Sequence, residues 1–344
     1  MADDGPDIIF DDIGSYPLPA GMSRESLPVG EAYLALVRDA TAQKIEAGVE
    51  RPTYPQFRDM IRMFMDPIED PERSESPYLV LPEEARILEL EALESLGKEM
   101  ARRGEKRRGD RLQARVCVTG PVELYISRFG ATDYADILEK IAESVGRFIE
   151  ASKKSRSFEV SVVSIDEPSL GISPNVIFSD EEITEALETA ARPCGGIDCE
   201  IHLHSPLMAE LTCAVPGINV IGVESAANPD YLRLIDRRVL EENDAFIRAG
   251  IARTDIDGMV ARLNDRLDTN LWRDSERLER EVFASESAKV LEERLTGAYR
   301  LFGDRVRYAR PDCGLGSWPS QKMAKRCLAN CSMAIASFRS RKRI

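Results

Sequence analysis

Eight short stretches rich in apolar and β-branched residues recur along this chain, and charged stretches with helical periodicity separate most of them. In residues 134–155, for example, isoleucine and valine recur at four-residue steps and predict one apolar stripe on a helix. Strands that alternate with helices favour a parallel sheet, because a helix usually connects parallel neighbours. Eight such strands favour an α/β fold of the single (β/α)8 TIM barrel type over an open sheet. The predicted strands lie within residues 7–17, 48–55, 113–121, 160–169, 199–205, 218–225, 246–255 and 305–314.

The chain of 344 residues shows neither an internal repeat nor a low-complexity linker, so the sequence predicts one domain over residues 1–344. Hydrophobic residues make up 43% of the chain, which is enough for a full core. The net charge of −14 argues against nucleic acid or an anionic membrane as a partner, because both bind basic surfaces. The basic run at 101–111 is expected to be a solvated helix end, although it could contribute to docking of a partner, and the basic tail at 337–344 is expected to be solvated.

The first residues are acidic and polar, unlike a signal peptide, and no apolar run approaches the ~20 residues that span a bilayer. The seven cysteines are odd in number and widely spaced, which suits reduced thiols or metal ligation better than a disulfide framework. A cytoplasmic protein is therefore expected.

Both histidines of the chain, His202 and His204, stand two residues apart in one predicted strand. Residues two apart in a strand point to the same face, so the two imidazoles share one side, while Ile201 and Leu203 share the other. The aliphatic side suits the helix layer, which directs the imidazoles into the barrel mouth. A divalent metal is a common partner for two neutral imidazoles.

Two further metal ligands are predicted at the carboxyl ends of other strands, where the active sites of such barrels lie. Glu224 ends the sixth predicted strand and Cys313 ends the eighth. Two imidazoles, a carboxylate and a thiolate form a plausible tetrahedral set, and the soft thiolate favours zinc. Each residue alone has an ordinary structural interpretation. Cys194 and Cys199 compete as ligands, although Cys199 shares the face of Ile201 rather than that of the histidines.

Six short motifs occur in the order, and at about the spacing, of the catalytic barrel of the cobalamin-independent methionine synthase family, which residues 8–335 resemble. They are DDIGSYP, VTGP, SIDEPS, IHLHS, IGVES and RPDCGLG. The resemblance implies a zinc ion that holds homocysteine through its sulfur, with His202, Glu224 and Cys313 at ligand positions. His204 stands where the family has cysteine, so the zinc site would have one thiolate fewer.

The resemblance also implies contacts to the amino-acid part of the substrate. Asp166 matches the residue that binds the amine, and Ser15 matches one that helps to hold the carboxylate. Tyr54 stands where the family has an acidic residue, and Gln56 or Asp59 could compensate for that loss. The Asp166-Glu167-Pro168 segment also suits a turn that simply ends a strand. The predicted substrate-binding residues are Ser15, Tyr54, Gln56, Asp166 and Glu167.

The prediction of the methyl donor depends on whether its leaving group needs a proton. A methylated folate amine is a poor leaving group and needs a general acid, which in the family is a histidine after the seventh strand. This chain has no histidine outside the HLH segment, and Asp257 is the candidate acid there. A methyl–cobalt bond needs no such proton. The chain resembles short family members that take methyl groups from methylcobamides, which favours methylcobalamin or a methylated corrinoid protein as donor.

The sequence thus predicts a zinc-dependent methyltransferase that alkylates a small thiol, with homocysteine as the preferred candidate. Asp166 and Asp257 are the catalytic candidates. Zinc would stabilise the substrate thiolate, which is the nucleophile. Four alternatives remain open at this point: a methyl-folate donor, a coenzyme M-type thiol, a zinc hydrolase on the same barrel, and a relative without activity. A hydrolase of this kind usually needs more histidines.

Overall fold

The computed structural model describes residues 7–104 and 111–341, so part of the basic run at 101–111 and the last residues of the basic tail lie outside the described residues. In the described ranges there are nine strands and twelve α-helices. The strands are β1 (Ile9–Phe10), β2 (Ser74–Ser76), β3 (Leu79–Val80), β4 (Leu112–Thr119), β5 (Phe158–Asp166), β6 (Asp198–Leu203), β7 (Val220–Val223), β8 (Phe246–Ala252) and β9 (Val306–Pro311). The helices are α1 (Glu31–Glu46), α2 (Arg62–Glu69), α3 (Leu90–Arg103), α4 (Pro121–Phe129), α5 (Ala135–Ser152), α6 (Asp180–Ala191), α7 (Ala209–Cys213), α8 (Arg237–Glu242), α9 (Ile256–Leu267), α10 (Ser275–Ser285), α11 (Ala288–Phe302) and α12 (Gln321–Arg341).

Within the described residues, seven strands form one curled parallel sheet in the order β1-β9-β8-β7-β6-β5-β4. Each of these strands overlaps one of the predicted strand segments, although β4, β5 and β6 begin one or two residues earlier than predicted, and helices connect the strands as expected for an α/β fold. The antiparallel pair β2–β3 was not predicted. The confirmed part of the fold prediction is therefore an α/β architecture built on a parallel sheet.

The predicted strand at 48–55 forms no regular strand, and the reason is local. Arg51 makes one isolated parallel bridge to Asp11 beyond β1, and Thr53 makes another to Arg115 on β4. Pro52 lies between them, and a proline has no N–H to extend a hydrogen-bond ladder. Its carbonyl still accepts a hydrogen bond from the Arg115 backbone. The segment therefore touches both edges of the sheet without becoming a strand.

The helices pack their apolar faces on the sheet. In α5 the predicted stripe is present, since Ile141, Val145 and Ile149 are fully buried and Ile137 is partly buried. Phe148 of the same helix meets Phe64 of α2 edge to face, with ring centroids 5.1 Å apart. Among the helices of residues 7–104 and 111–341, none has both the length and the apolar character needed to cross a membrane.

The inner side of the sheet carries a buried ionic cluster that the sequence analysis did not foresee. Arg115, Arg248 and Arg310, from β4, β8 and β9, are at most 1% exposed. Their partners are Glu200 on β6 and Asp11 beyond β1. Arg115 approaches Glu200 at 2.5 Å and Arg310 approaches it at 2.9 Å. Buried charges are tolerated only when paired in this way, so the cluster ties distant strands together beneath the strand ends.

Candidate metal centre

The structure brings together the four predicted metal ligands. One ligand atom from each of His202, His204, Glu224 and Cys313 lies within 4.8 Å of the others. The His204 Nε2 atom is 3.5 Å from Glu224 Oε1 and 3.8 Å from Cys313 Sγ. The residues come from the carboxyl ends of β6, β7 and β9, which are neighbours or near neighbours in the sheet. Parallel pairing places these ends at one edge, and this is why residues far apart in sequence meet.

The local sequence around the histidines explains their placement. His202 pairs with Asp166 of β5 on one side and with Gly222 of β7 on the other. Gly222 leaves room for the Glu200 carboxylate, because a Cβ atom there would lie 2.1 Å from Glu200 Oε1. His204 follows the last residue of β6 and is partly exposed, whereas His202 lies within β6 and is buried.

His202 provides the observation that tests whether a metal fits. Its Nε2 atom is buried and has no hydrogen-bond partner, whereas its Nδ1 atom accepts from Arg310 Nη2 at 3.0 Å. Burial, followed by the nearby Arg310 guanidinium, holds the His202 pKa well below 6.5. The ring is therefore neutral, as a metal ligand must be. Because a guanidinium only donates, the ring proton sits on Nε2 in this arrangement. A neutral imidazole that bound a metal through Nε2 would carry its proton on Nδ1 instead, so metal binding would require the Arg310 contact to rearrange.

The Cys313 thiol also suits metal binding, because it needs a nearby cation in order to ionise. Burial raises the pKa of its thiol to about 12, and the Glu224 carboxylate adds to the shift. Such a thiol stays protonated at neutral pH unless a cation stabilises the thiolate. A bound metal ion supplies that charge and inverts the local pKa order. The mixed nitrogen, oxygen and sulfur donor set matches zinc.

Two of the predicted substrate contacts lie beside the cluster. Asp166 ends β5 and is 5% exposed, and its Oδ1 atom accepts a hydrogen bond from Ser164 Oγ at 2.5 Å. Ser15 lies against the loop that follows Cys313, because its Oγ accepts from the Gly316 N–H at 3.3 Å. Gly314 in that loop is required, since a Cβ atom there would lie 1.9 Å from Ser15 Oγ.

Tyr54 and Glu167 form hydrogen bonds within the protein. Tyr54 is fully buried and its hydroxyl donates to the Cys117 carbonyl. Both oxygens of the buried Glu167 accept backbone N–H groups at the start of α4, from Val122 at 2.8 Å and from Glu123 at 2.7 Å. These contacts hold α4 to the end of β5, as a carboxylate at a helix N-terminus does. Direct contact of either residue with substrate stays a prediction.

The remaining candidates differ in position. Gln56 is 7% exposed, and its side-chain Nε2 atom has no hydrogen-bond partner. Asp59 accepts the backbone N–H groups of Ile61 and Arg62 at the start of α2. Asp257 is exposed in the first turn of α9 and is not among the four clustered residues. The structure therefore does not bring Asp257 into the cluster.

Two residues that support the candidate ligands, Arg310 and Asp312, were not predicted from the sequence. Arg310 binds His202, and Asp312 accepts the backbone N–H groups of Ala226 and Ala227, just beyond Glu224. For Arg310 the available signal was a charged residue within a predicted strand, because a charged residue that is buried there needs a partner. The sequence alone does not reveal which partner that is.

Comparisons with known proteins bear on the fold. No family model matches the sequence, and no curated protein matches it. A B12-independent methionine synthase from Shewanella sp. W3-18-1, solved in complex with selenomethionine, aligns over 97% of this chain and 98% of its own, with 12% identity and a TM-score of 0.63. A methyltransferase from Methanosarcina mazei aligns over 96% of this chain and 94% of its own, with 12% identity and a TM-score of 0.53. At these identities the similarity shows that the chain has the same kind of fold as these two proteins.

Proposed function

We propose that this chain is a zinc-dependent methyltransferase that moves a methyl group from methylcobalamin, or from a methylated corrinoid protein, to a small thiol. Homocysteine is the first candidate thiol, and its product would be methionine. The observation that carries the proposal is the convergence of two imidazoles, one carboxylate and one thiol within 4.8 Å. The proposal includes one domain over residues 1–344 and a closed (β/α)8 barrel, with residues 51–53 in the eighth strand position between β1 and β4.

His202, His204, Glu224 and Cys313 would hold the zinc ion. When bound, zinc stabilises the thiolate form of a coordinated thiol and so provides a nucleophile at neutral pH. A site with one thiolate and two neutral imidazoles is less negative than one with two thiolates. Such a site should bind the substrate thiolate more firmly and leave it less nucleophilic.

The residues around the cluster suit an amino-acid thiol. Asp166 is ionisable, lies beside His202 in the sheet, and has one oxygen occupied by Ser164. We assign its other oxygen to the substrate ammonium group. Ser15, which lies against the Cys313 loop, would donate its hydroxyl to the carboxylate. These two contacts would orient the sulfur toward the cluster and away from bulk water.

The choice of donor rests on the absence of a spare histidine. The chain contains two histidines, and both belong to the cluster. A methyl-folate donor would need a proton at the leaving amine, and the candidate acid Asp257 is exposed on α9. A methylated corrinoid needs no proton at its leaving group, which supports it as the donor.

The test mixes zinc-loaded protein with methylcobalamin and a panel of thiols that includes homocysteine and coenzyme M. Loss of the methyl–cobalt absorbance, measured thiol by thiol, identifies the donor and the acceptor together. Cys313→Ser is expected to abolish the reaction, and Cys213→Ser, at a cysteine that contacts the Val239 carbonyl, is the matched control. Turnover with a methyl folate but not with methylcobalamin would overturn the proposed choice of donor. A chain that binds no zinc would overturn the whole proposal.

A further inference from the structure

Asp312 connects two of the strand ends that carry the candidate ligands. Its Oδ1 atom accepts the Ala226 N–H at 2.7 Å, and its Oδ2 atom accepts the Ala227 N–H at 2.7 Å. Ala226 and Ala227 belong to the loop that follows Glu224, and Asp312 directly precedes Cys313. One carboxylate therefore links the backbone beyond one ligand to the backbone before another.

The strand between these two ends is shaped to admit this carboxylate. Gly250 on β8 lies beside it, and a Cβ atom at that position would lie 1.9 Å from Asp312 Oδ1. Gly250 also exchanges two hydrogen bonds with Ser225, donating its N–H to Ser225 Oγ at 2.9 Å and accepting from that hydroxyl at 3.0 Å. Gly250 thus provides both the space and a second tie to the Glu224 loop.

The backbone of Asp312 is fixed as firmly as its side chain. Its N–H donates to the Ala252 carbonyl at 2.8 Å, and its own carbonyl accepts from Arg310 Nη1 at 2.8 Å. The residue is 2% exposed. A rigid backbone matters here, because a carboxylate on a mobile loop could not impose a position on the loop that it binds.

We propose that Asp312 is a positioning residue that fixes the Glu224 carboxylate relative to the Cys313 thiol and so preforms the four-ligand site. The inference rests on the proposed metal-dependent function. β7 ends at Val223, so Glu224 lies beyond the regular sheet and depends on loop contacts for its position. Without the Asp312 carboxylate, two N–H groups close to Glu224 would lose their partners, and the loop would have to move to satisfy them.

The test uses metal binding rather than turnover. Cobalt(II) is bound in place of zinc because its visible spectrum reports the ligand type and the coordination geometry. Asp312→Asn keeps the side-chain shape but places an amide donor against one N–H group, and Gly250→Ala keeps the carboxylate but removes its space. Both variants should bind metal about 10- to 100-fold more weakly, as is typical when a group that orients a ligand is lost. Both should also change the cobalt ligand-field bands.

The matched control is Glu89→Gln. Glu89 is a fully buried carboxylate that accepts the Tyr33 hydroxyl at 2.5 Å and pairs with Arg58 at 2.7 Å. It joins α1 to the segment before α2 but has no bond to the Glu224 or Cys313 loops among its described contacts. This control should lose stability and retain the wild-type cobalt spectrum and metal affinity.

The outcomes separate the two proposals. A folded Asp312→Asn protein with wild-type metal affinity and spectrum would overturn the role of Asp312 and leave the metal site intact. The same changes in Glu89→Gln would also overturn the role of Asp312, since they would reflect a general loss of stability. Wild-type protein that shows no cobalt spectrum would overturn the proposed function itself.

Discussion

Arg310 Nη2 lies 3.0 Å from His202 Nδ1 and 2.9 Å from Glu200 Oε1, so one buried guanidinium group joins a candidate metal ligand to the ionic cluster inside the sheet. Its Nη1 atom donates to the carbonyls of Pro311 and Asp312, just before Cys313. The same side chain therefore orients a ligand on β6 and supports the backbone of a ligand after β9.

Removal of Arg310 should be strongly destabilising. Arg310→Met removes the donor to two backbone carbonyls and one of the cations that pair with Glu200, and a buried acceptor left without a partner typically costs about 1–3 kcal/mol. Urea unfolding of the metal-free protein measures the change. Arg307→Met is the control, because Arg307 pairs with Asp198 near the surface and such pairs contribute about 1 kcal/mol or less. Equal losses in the two variants would contradict the assignment of Arg310 to a buried network.

His202 should make a contribution to the stability of the metal-free protein that is lost in mild acid. Burial holds the pKa of the native His202 well below 6.5, whereas in the unfolded chain it is about 6.5. Below that pH the unfolded chain binds a proton that the native chain excludes, so the His202 contribution to stability decreases as pH falls, by up to about 1.4 kcal/mol per pH unit. Asp312 acts in the opposite direction, because burial raises its pKa to about 7, and the comparison with a His202 variant isolates the His202 contribution. Urea unfolding between about pH 5 and pH 7.5 should show a shallower slope for His202→Asn. Identical slopes would show that His202 does not stay neutral in the native protein.

Glu167 should contribute to stability through α4. Glu167→Gln replaces one of the two acceptor oxygens that bind the Val122 and Glu123 N–H groups, and a buried donor without a partner costs about 1–3 kcal/mol. Zinc affinity should not change, because these contacts lie at the α4 junction. Denaturant unfolding and a zinc titration measure the two effects. Unchanged stability together with weaker thiol binding would instead support direct contact of Glu167 with the substrate.

His204 provides a test of how ligand charge affects the reaction. His204→Cys adds a thiolate and makes the cluster more negative, so the substrate thiolate should be bound less firmly and should react faster. A change on the order of tenfold in each direction corresponds to about 1.4 kcal/mol. Zinc content, thiol affinity and the rate of methyl–cobalt loss measure these effects. His204→Gln, which adds no negative charge, is the control, and faster transfer in both variants would contradict the charge argument.

The sequence predicted that His202, His204, Glu224 and Cys313 would lie together, as they do, because that inference depends on local rules. Strand alternation places His202 and His204 on one face, and parallel strand ends meet at one edge of the sheet. The same rules failed at 48–55, where Pro52 interrupts the ladder. Local rules also could not foresee that Tyr54 would bond to the Cys117 carbonyl, because that contact joins segments far apart in the chain.

The sequence by itself determined the alternation of the seven strands of the parallel sheet with helices, and it placed imidazole, carboxylate and thiol groups at strand ends. Periodicity and side-chain chemistry are sufficient for both inferences, since each depends on only a few neighbouring residues. Only the tertiary structure decided which buried charges pair, that Glu167 caps a helix, and that Asp312 braces the Glu224 loop. These contacts form between distant strands, where distance and burial, rather than sequence neighbours, select the partner of each polar group.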